Sequence, residues 1–179
     1  IFGLLSVVNA DALESAVLYK GNIPARFGER VSSVMDLKIR QDNDEKFWGT
    51  GGIGLIDSRL TLGIPVIKKK LSVLIGGRTT YSDYLLHMMR DPYLKNSSAY
   101  FFDMNGLVIY TINKANQLTL SGYKSYDLFD YVNNLRYDYG NTLGSIKWSH
   151  NFSKSLHTYL QGSYSSYKIN TYNETNAYE

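Results

Sequence analysis

Few residues of this chain could do covalent chemistry, and their spacing argues against it. Cysteine is absent, which excludes a disulfide scaffold, an iron–sulfur site, thiolate zinc and a cysteine nucleophile. His87, His150 and His157 stand in three separate segments with no H-x-x-x-H or carboxylate-flanked spacing, so no metal site is expected. Gly49-Thr50-Gly51-Gly52-Ile53-Gly54 matches G-x-G-x-x-G, but that fingerprint needs a strand before it and a helix after it. Here a charged stretch precedes it and the strand-like run Leu55 to Ile64 follows, so bent or bulged strand is the better reading. No G-x-S-x-G elbow and no P-loop occurs. Asp42, Asp44 and Glu45 read as solvated charges in a linker. Lys68-Lys69-Lys70 reads either as a polybasic membrane patch or, more simply, as a turn between two strands. The expectation is a protein that is not an enzyme and has no cofactor.

The elements that must carry these residues are strands. The 179 residues suit one domain, two at most. The 19 basic and 16 acidic residues leave +3, too mild for a nucleic-acid binder, which needs a clustered basic face. The outliers are 16 Tyr and 15 Gly. Tyrosine favours strands and interfaces, and glycine marks turns and bulges. No stretch approaches the roughly 18 consecutive apolar residues of a membrane helix. Ile1 to Ala12 imitates a signal peptide, with Ala10-Asp11-Ala12 in place of a cleavage site. It lacks an initiator Met and a basic n-region, and Gly3 and Asn9 interrupt it. The chain is therefore expected to begin within a larger protein.

Residues 1–45 read as a small mixed α/β piece. Asn9 or Asp11 caps a short helix through Ala12, Leu13 and Glu14, a strand covers Ala16 to Tyr19, and a second carries Met35, Leu37 and Ile39 on one face. From residue 47 the period is two. Ile56, Leu60, Leu62 and Ile64 oppose Asp57, Arg59, Thr61 and Gly63. Phe102, Met104, Gly106, Val108 and Tyr110 oppose Asp103 and Asn105. Six strands are expected, near 48–65, 71–81, 100–112, 118–127, 138–151 and 156–169. Short turns at 68–70, 113–117 and 153–155 alternate with longer connections at 82–99 and 128–137. Short turns at one end and long loops at the other are the layout of an outer-membrane barrel. A soluble β-sandwich also alternates and also uses Tyr.

The run from Asn9 to Val34, NADALESAVLYKGNIPARFGERVSSV, resembles the end of the plug domain of TonB-dependent outer-membrane receptors in the form common in Bacteroidetes. In that form a short helix leads to a strand ending in Lys-Gly. A Pro-Ala-Arg-aromatic-Gly-x-Arg loop, Ser-Ser-Val and a final plug strand follow. Gly52 to Leu62 looks like the family's first barrel strand, although Gly63-Ile64-Pro65 stands where the family often has Glu-Gly-Pro. Arg78, Tyr81 and Asp83 look like the Arg-x-x-Tyr-x-Asp ending of the second, and Phe101 to Asn105 like the start of the third. The likeness is specific in the plug loop, good to about residue 112 and generic beyond.

The resemblance implies a mainly β fold: part of a large antiparallel transmembrane β-barrel, 22-stranded in the family, preceded by the C-terminal piece of an α/β plug. Residues 1–45 would belong to the plug and 46–179 to the first strands. Such receptors sit in the bacterial outer membrane and import a scarce substrate with energy relayed by TonB. The implied partners are outer-membrane lipid, the TonB complex through a segment outside these 179 residues, an imported ligand, and a surface lipoprotein as a further candidate. Gly21, Pro24, Arg26, Gly28, Arg30, Ser32 and Ser33 would form the plug motif against the lumen. Arg26 and Arg30 are planar forks suited to lumen carboxylates, and Gly21 and Gly28 permit a tight backbone path. Asp57, Arg59 and Thr61 would face the lumen. A complete small outer-membrane barrel and a secreted carbohydrate-binding β-sandwich stay open. The first leaves residues 1–45 without a role, and six strands are too few to close a barrel.

Overall fold

The computed structural model describes residues 9–28, 32–40, 46–88, 90–91, 95–131 and 135–173. The chain is mainly β and antiparallel. Two strands, β1 (Leu13–Tyr19) and β2 (Val34–Ile39), pair with each other as a separate ribbon. Seven more form one sheet in sequence order: β3 (Trp48–Ile53), β4 (Asp57–Ile67), β5 (Leu71–Thr80), β6 (Ser98–Thr111), β7 (Asn116–Tyr131), β8 (Leu135–Asn151) and β9 (His157–Asn173). Among the described residues the one α-helix, α1 (Ser82–Met88), lies in the β5–β6 connection.

The expected strand over 48–65 is two strands. A tight hairpin at Gly54 to Ile56 folds β3 back on β4, with Gly54 N–H donating to Asp57 O at 2.8 Å. The G-x-G-x-x-G run is β3 and its turn, so no helix follows it. Period-two patterning cannot mark a hairpin whose turn is as apolar as its strands. The long connection expected over 128–137 is mostly strand, because β7 runs to Tyr131 and β8 begins at Leu135. The helix expected through Glu14 is a 3-10 turn, Ala10–Ala12. Asn9 caps it, its side chain accepting from Asp11 N–H at 3.1 Å, and Glu14 already lies in β1.

The register between β4 and β5 slips between Pro65 and Ile67, where Pro65 has no N–H to give to the ladder. Gly63 is required by close approach. A Cβ there would stand 2.2 Å from Trp48 Nε1, and the Arg40 guanidinium covers the same indole ring at 4.6 Å. The apolar core is small. Ala12, Leu74, Leu107 and Ile109 are buried together, with Ile39 and Trp48 packed against them. It lies where the Ala10–Ala12 turn meets the sheet.

Candidate functional site

The register sorts β4 to β7 into two faces. One face presents a polar row in which Arg59, Arg78, Asp103, Ser125 and Asn141 stand opposite one another on successive strands. The next row holds Thr61, Gly76, Asn105 and Tyr123. Strand alternation alone aligns them, because each is an even number of residues from its neighbour on the same strand.

The N-terminal turn lies on this face. Asn9 Nδ2 donates to Thr61 Oγ1 at 2.9 Å, and both side chains are fully buried. Arg59 Nε donates to Asp11 Oδ2 at 2.8 Å at a more exposed position. Deeper in the row Arg78 clamps one carboxylate oxygen of Asp103, from Nε at 2.7 Å and Nη2 at 2.6 Å. The Arg78 and Asp103 side chains are 9% and 3% exposed, so the pair is desolvated and depends on its geometry. Asn105 sits over Gly76, where a Cβ would come within 2.5 Å of its Oδ1. Asp103 Oδ1 and both amide atoms of Asn105 are buried with no hydrogen-bond partner in the structure. Further along, Asn141 Nδ2 donates to Ser125 Oγ at 3.3 Å, and the Ser121 and Ser145 hydroxyls meet at 2.7 Å.

The Arg-x-x-Tyr-x-Asp run at the end of β5 acts as a three-way fastener. Arg78 reaches β6 through Asp103. The Tyr81 hydroxyl donates to the carbonyls of Gly54 and Asp57, which closes the β3–β4 hairpin. Asp83 Oδ1 accepts from Ala99 N–H at 2.8 Å, and the Ser82 hydroxyl bonds the Ala99 carbonyl, which fixes the start of β6. These contacts tie the end of β5 to β6 and to the β3–β4 hairpin. Among the described residues no group of three or more His, Asp or Glu converges.

The opposite face is largely apolar and open, interrupted by one row in which Lys124, Thr142 and Ser166 stand opposite one another beside Met104. Leu60, Ile75, Met104, Leu120, Ile146, Trp148 and Leu160 are each 41–71% exposed. Among the described residues only four hydrophobic side chains are buried, against eight polar or charged ones. This inverts the usual order of a water-soluble fold.

Of the residues singled out from the sequence, Arg59 and Thr61 meet the N-terminal turn, and Asp57 begins β4 on the same face. The described side chains of the plug motif do not join them. Pro24 opens a 3-10 turn, Ala25–Phe27, whose Phe27 ring meets Tyr19 at 5.7 Å. Gly21, Gly28, Ser32 and Ser33 are exposed. Neither glycine has a positive φ; the left-handed residue of that loop is Asn22, at 49°. Arg30 and the Arg26 side chain lie outside the described residues. Asn9, Asp11 and the Arg78–Asp103 partnership were not legible from spacing, because their partners are 25–52 residues away. Alternation did put Asp103 and Asn105 on the polar face. No protein-family model, no curated protein and no solved structure matches this chain.

Proposed function

We propose that this chain is the last plug segment and the first strands of the barrel of a TonB-dependent receptor. In this reading it works in a bacterial outer membrane, importing a scarce ligand. The observation that carries the proposal is the inverted sheet: polar side chains buried on one face under the N-terminal turn, large apolar side chains exposed on the other. A lipid-facing exterior and a plugged polar lumen require that arrangement, whereas a β-sandwich would bury the apolar face.

Two quantities and the placement of tyrosines support it. The accessible surface is 13037 Å², against about 8,800 Å² for a compact soluble monomer of 20.3 kDa. On β6 the apolar face runs from Tyr100 to Tyr110. Ten residue steps at about 3.3 Å and about 40° of tilt give roughly 25 Å, the height of an outer-membrane apolar band. Tyrosines stand at both ends, as at a membrane interface. No described helix is long and apolar enough to cross a membrane.

The test is fractionation of cells making the full-length parent. It should be found in outer-membrane fragments, migrate faster unheated than boiled, and expose the 81–97 connection to external protease. A parent released with the soluble periplasmic proteins would overturn the reading.

A further inference from the structure

We infer that the end of the sheet bearing the short turns is a seat for anionic phospholipid headgroups, an inference resting on the membrane reading above. Three turns lie side by side there: Ile67 to Leu71, Ile112 to Asn116 and Phe152 to Leu156. They are stitched across strands, Thr111 N–H donating to Lys70 O and Asn151 N–H to Ala115 O, both at 2.8 Å. Together they carry Lys68, Lys69, Lys70, Lys114 and Lys154, all exposed, and no acidic residue. Every aspartate between residues 48 and 173 lies toward the opposite end, and that span contains no glutamate. The charge separation therefore runs along the strands.

Two features argue for lipid rather than water beside these lysines. Trp148, His150 and Phe152 alternate onto the apolar face just inside the turns. Their rings form a ladder, 5.8 Å between the first two and 4.2 Å between the second pair. Trp148 is 44% and Phe152 64% exposed, with Val66 and Leu156 similarly bare at the same level. An aromatic girdle with cations one step beyond it is the pattern that places rings among headgroups and ammonium groups against phosphates. The second feature is Lys69, whose φ of 59° is left-handed. Glycine or asparagine would adopt that conformation at less cost, yet the turn carries a third lysine there. Since short turns of such barrels face the periplasm, the leaflet concerned is the inner one.

The test uses the full-length parent inserted in phosphatidylcholine vesicles doped with dibrominated phosphatidylglycerol or dibrominated phosphatidylcholine. Quenching is read as the difference between the protein and its W148F variant. Each lysine near an anionic surface is worth about fivefold in affinity. Phosphatidylglycerol should therefore quench Trp148 at a concentration at least tenfold lower, and the preference should shrink at high salt. Lys68→Gln, Lys70→Gln, Lys114→Gln and Lys154→Gln together should bring the ratio near one, with Lys69 left in place because of its backbone. The four Lys→Arg changes should preserve it. Equal quenching by both lipids, or a preference the Gln variant keeps, overturns the inference and leaves the lysines to water or to an acidic macromolecule. A parent that inserts into neither vesicle overturns the membrane reading as well, which separates the two failures.

Discussion

At the scale of single residues, the Arg78–Asp103 pair is a deeply buried ion pair. Both partners are nearly sealed from solvent and joined at 2.6–2.7 Å. A buried pair contributes little over well-packed apolar residues, but breaking it strands a charge at a cost of about 3–5 kcal/mol. In the full-length parent, Asp103→Ala should lower the unfolding free energy by that amount, read as a lower denaturant midpoint at unchanged slope. Arg78→Leu with Asp103→Leu should recover most of it. If the double variant is as unstable as the sum of the singles, the pair is not acting as a unit. Alternation placed Asp103 on the polar face, but nothing in the sequence said that it meets Arg78. That depends on the β5–β6 register, which sets Arg78 opposite Asp103.

At the scale of the element, the proposed membrane reading turns on which face of a strand would meet lipid. Thr61 is a poor probe because it is packed against Asn9, so an arginine there would fail on sterics. Gly144 and Ser145 on β8 are a better pair. A Cβ at Gly144 meets nothing within 4 Å, and its φ is not positive. It lies in a row with Gly122 and Gly106 on the apolar face, midway along the strands. Ser145 lies on the polar face, against the Ser121 hydroxyl. Gly144→Arg should cost about 2–4 kcal/mol of folding in a bilayer, seen as reduced folded yield in the outer membrane. Gly144→Leu should be tolerated, and Ser145→Arg should be far milder than Gly144→Arg. Equal losses from the two arginines would mean that neither face meets lipid.

At the scale of the whole molecule, the sheet has two unpaired edges among the described residues, β3 and β9. β3 is short and carries Gly49, Gly51 and Gly52, whereas β9 is 17 residues long and exposed on both faces over almost its whole length. An open edge in lipid leaves backbone groups that nothing can satisfy, and in water it invites pairing with another chain. Residues 1–179 produced alone should therefore fail to give a closed, heat-resistant monomer and should associate through β9. A heat-modifiable monomer from these residues would support a complete small barrel in place of a piece of a larger one. If the proposed reading holds, a longer chain that supplies the remaining barrel strands should restore monomeric folding.

The sequence by itself determined the mainly β character, the antiparallel meander from β5 onward, and which residues of β4 and β6 share a face. Each follows from period-two alternation, which is a local property of the strand. Tertiary structure decided what locality cannot carry. It split residues 48–67 into a hairpin, since Gly54 to Ile56 turns where the apolar pattern continues unbroken. It extended β7 and β8 across residues expected to be a loop, because pairing between long strands overrides weak turn signals. It also laid Asn9 and Asp11 on Thr61 and Arg59. Such contacts join residues some fifty positions apart, and only the folded path of the chain brings them together.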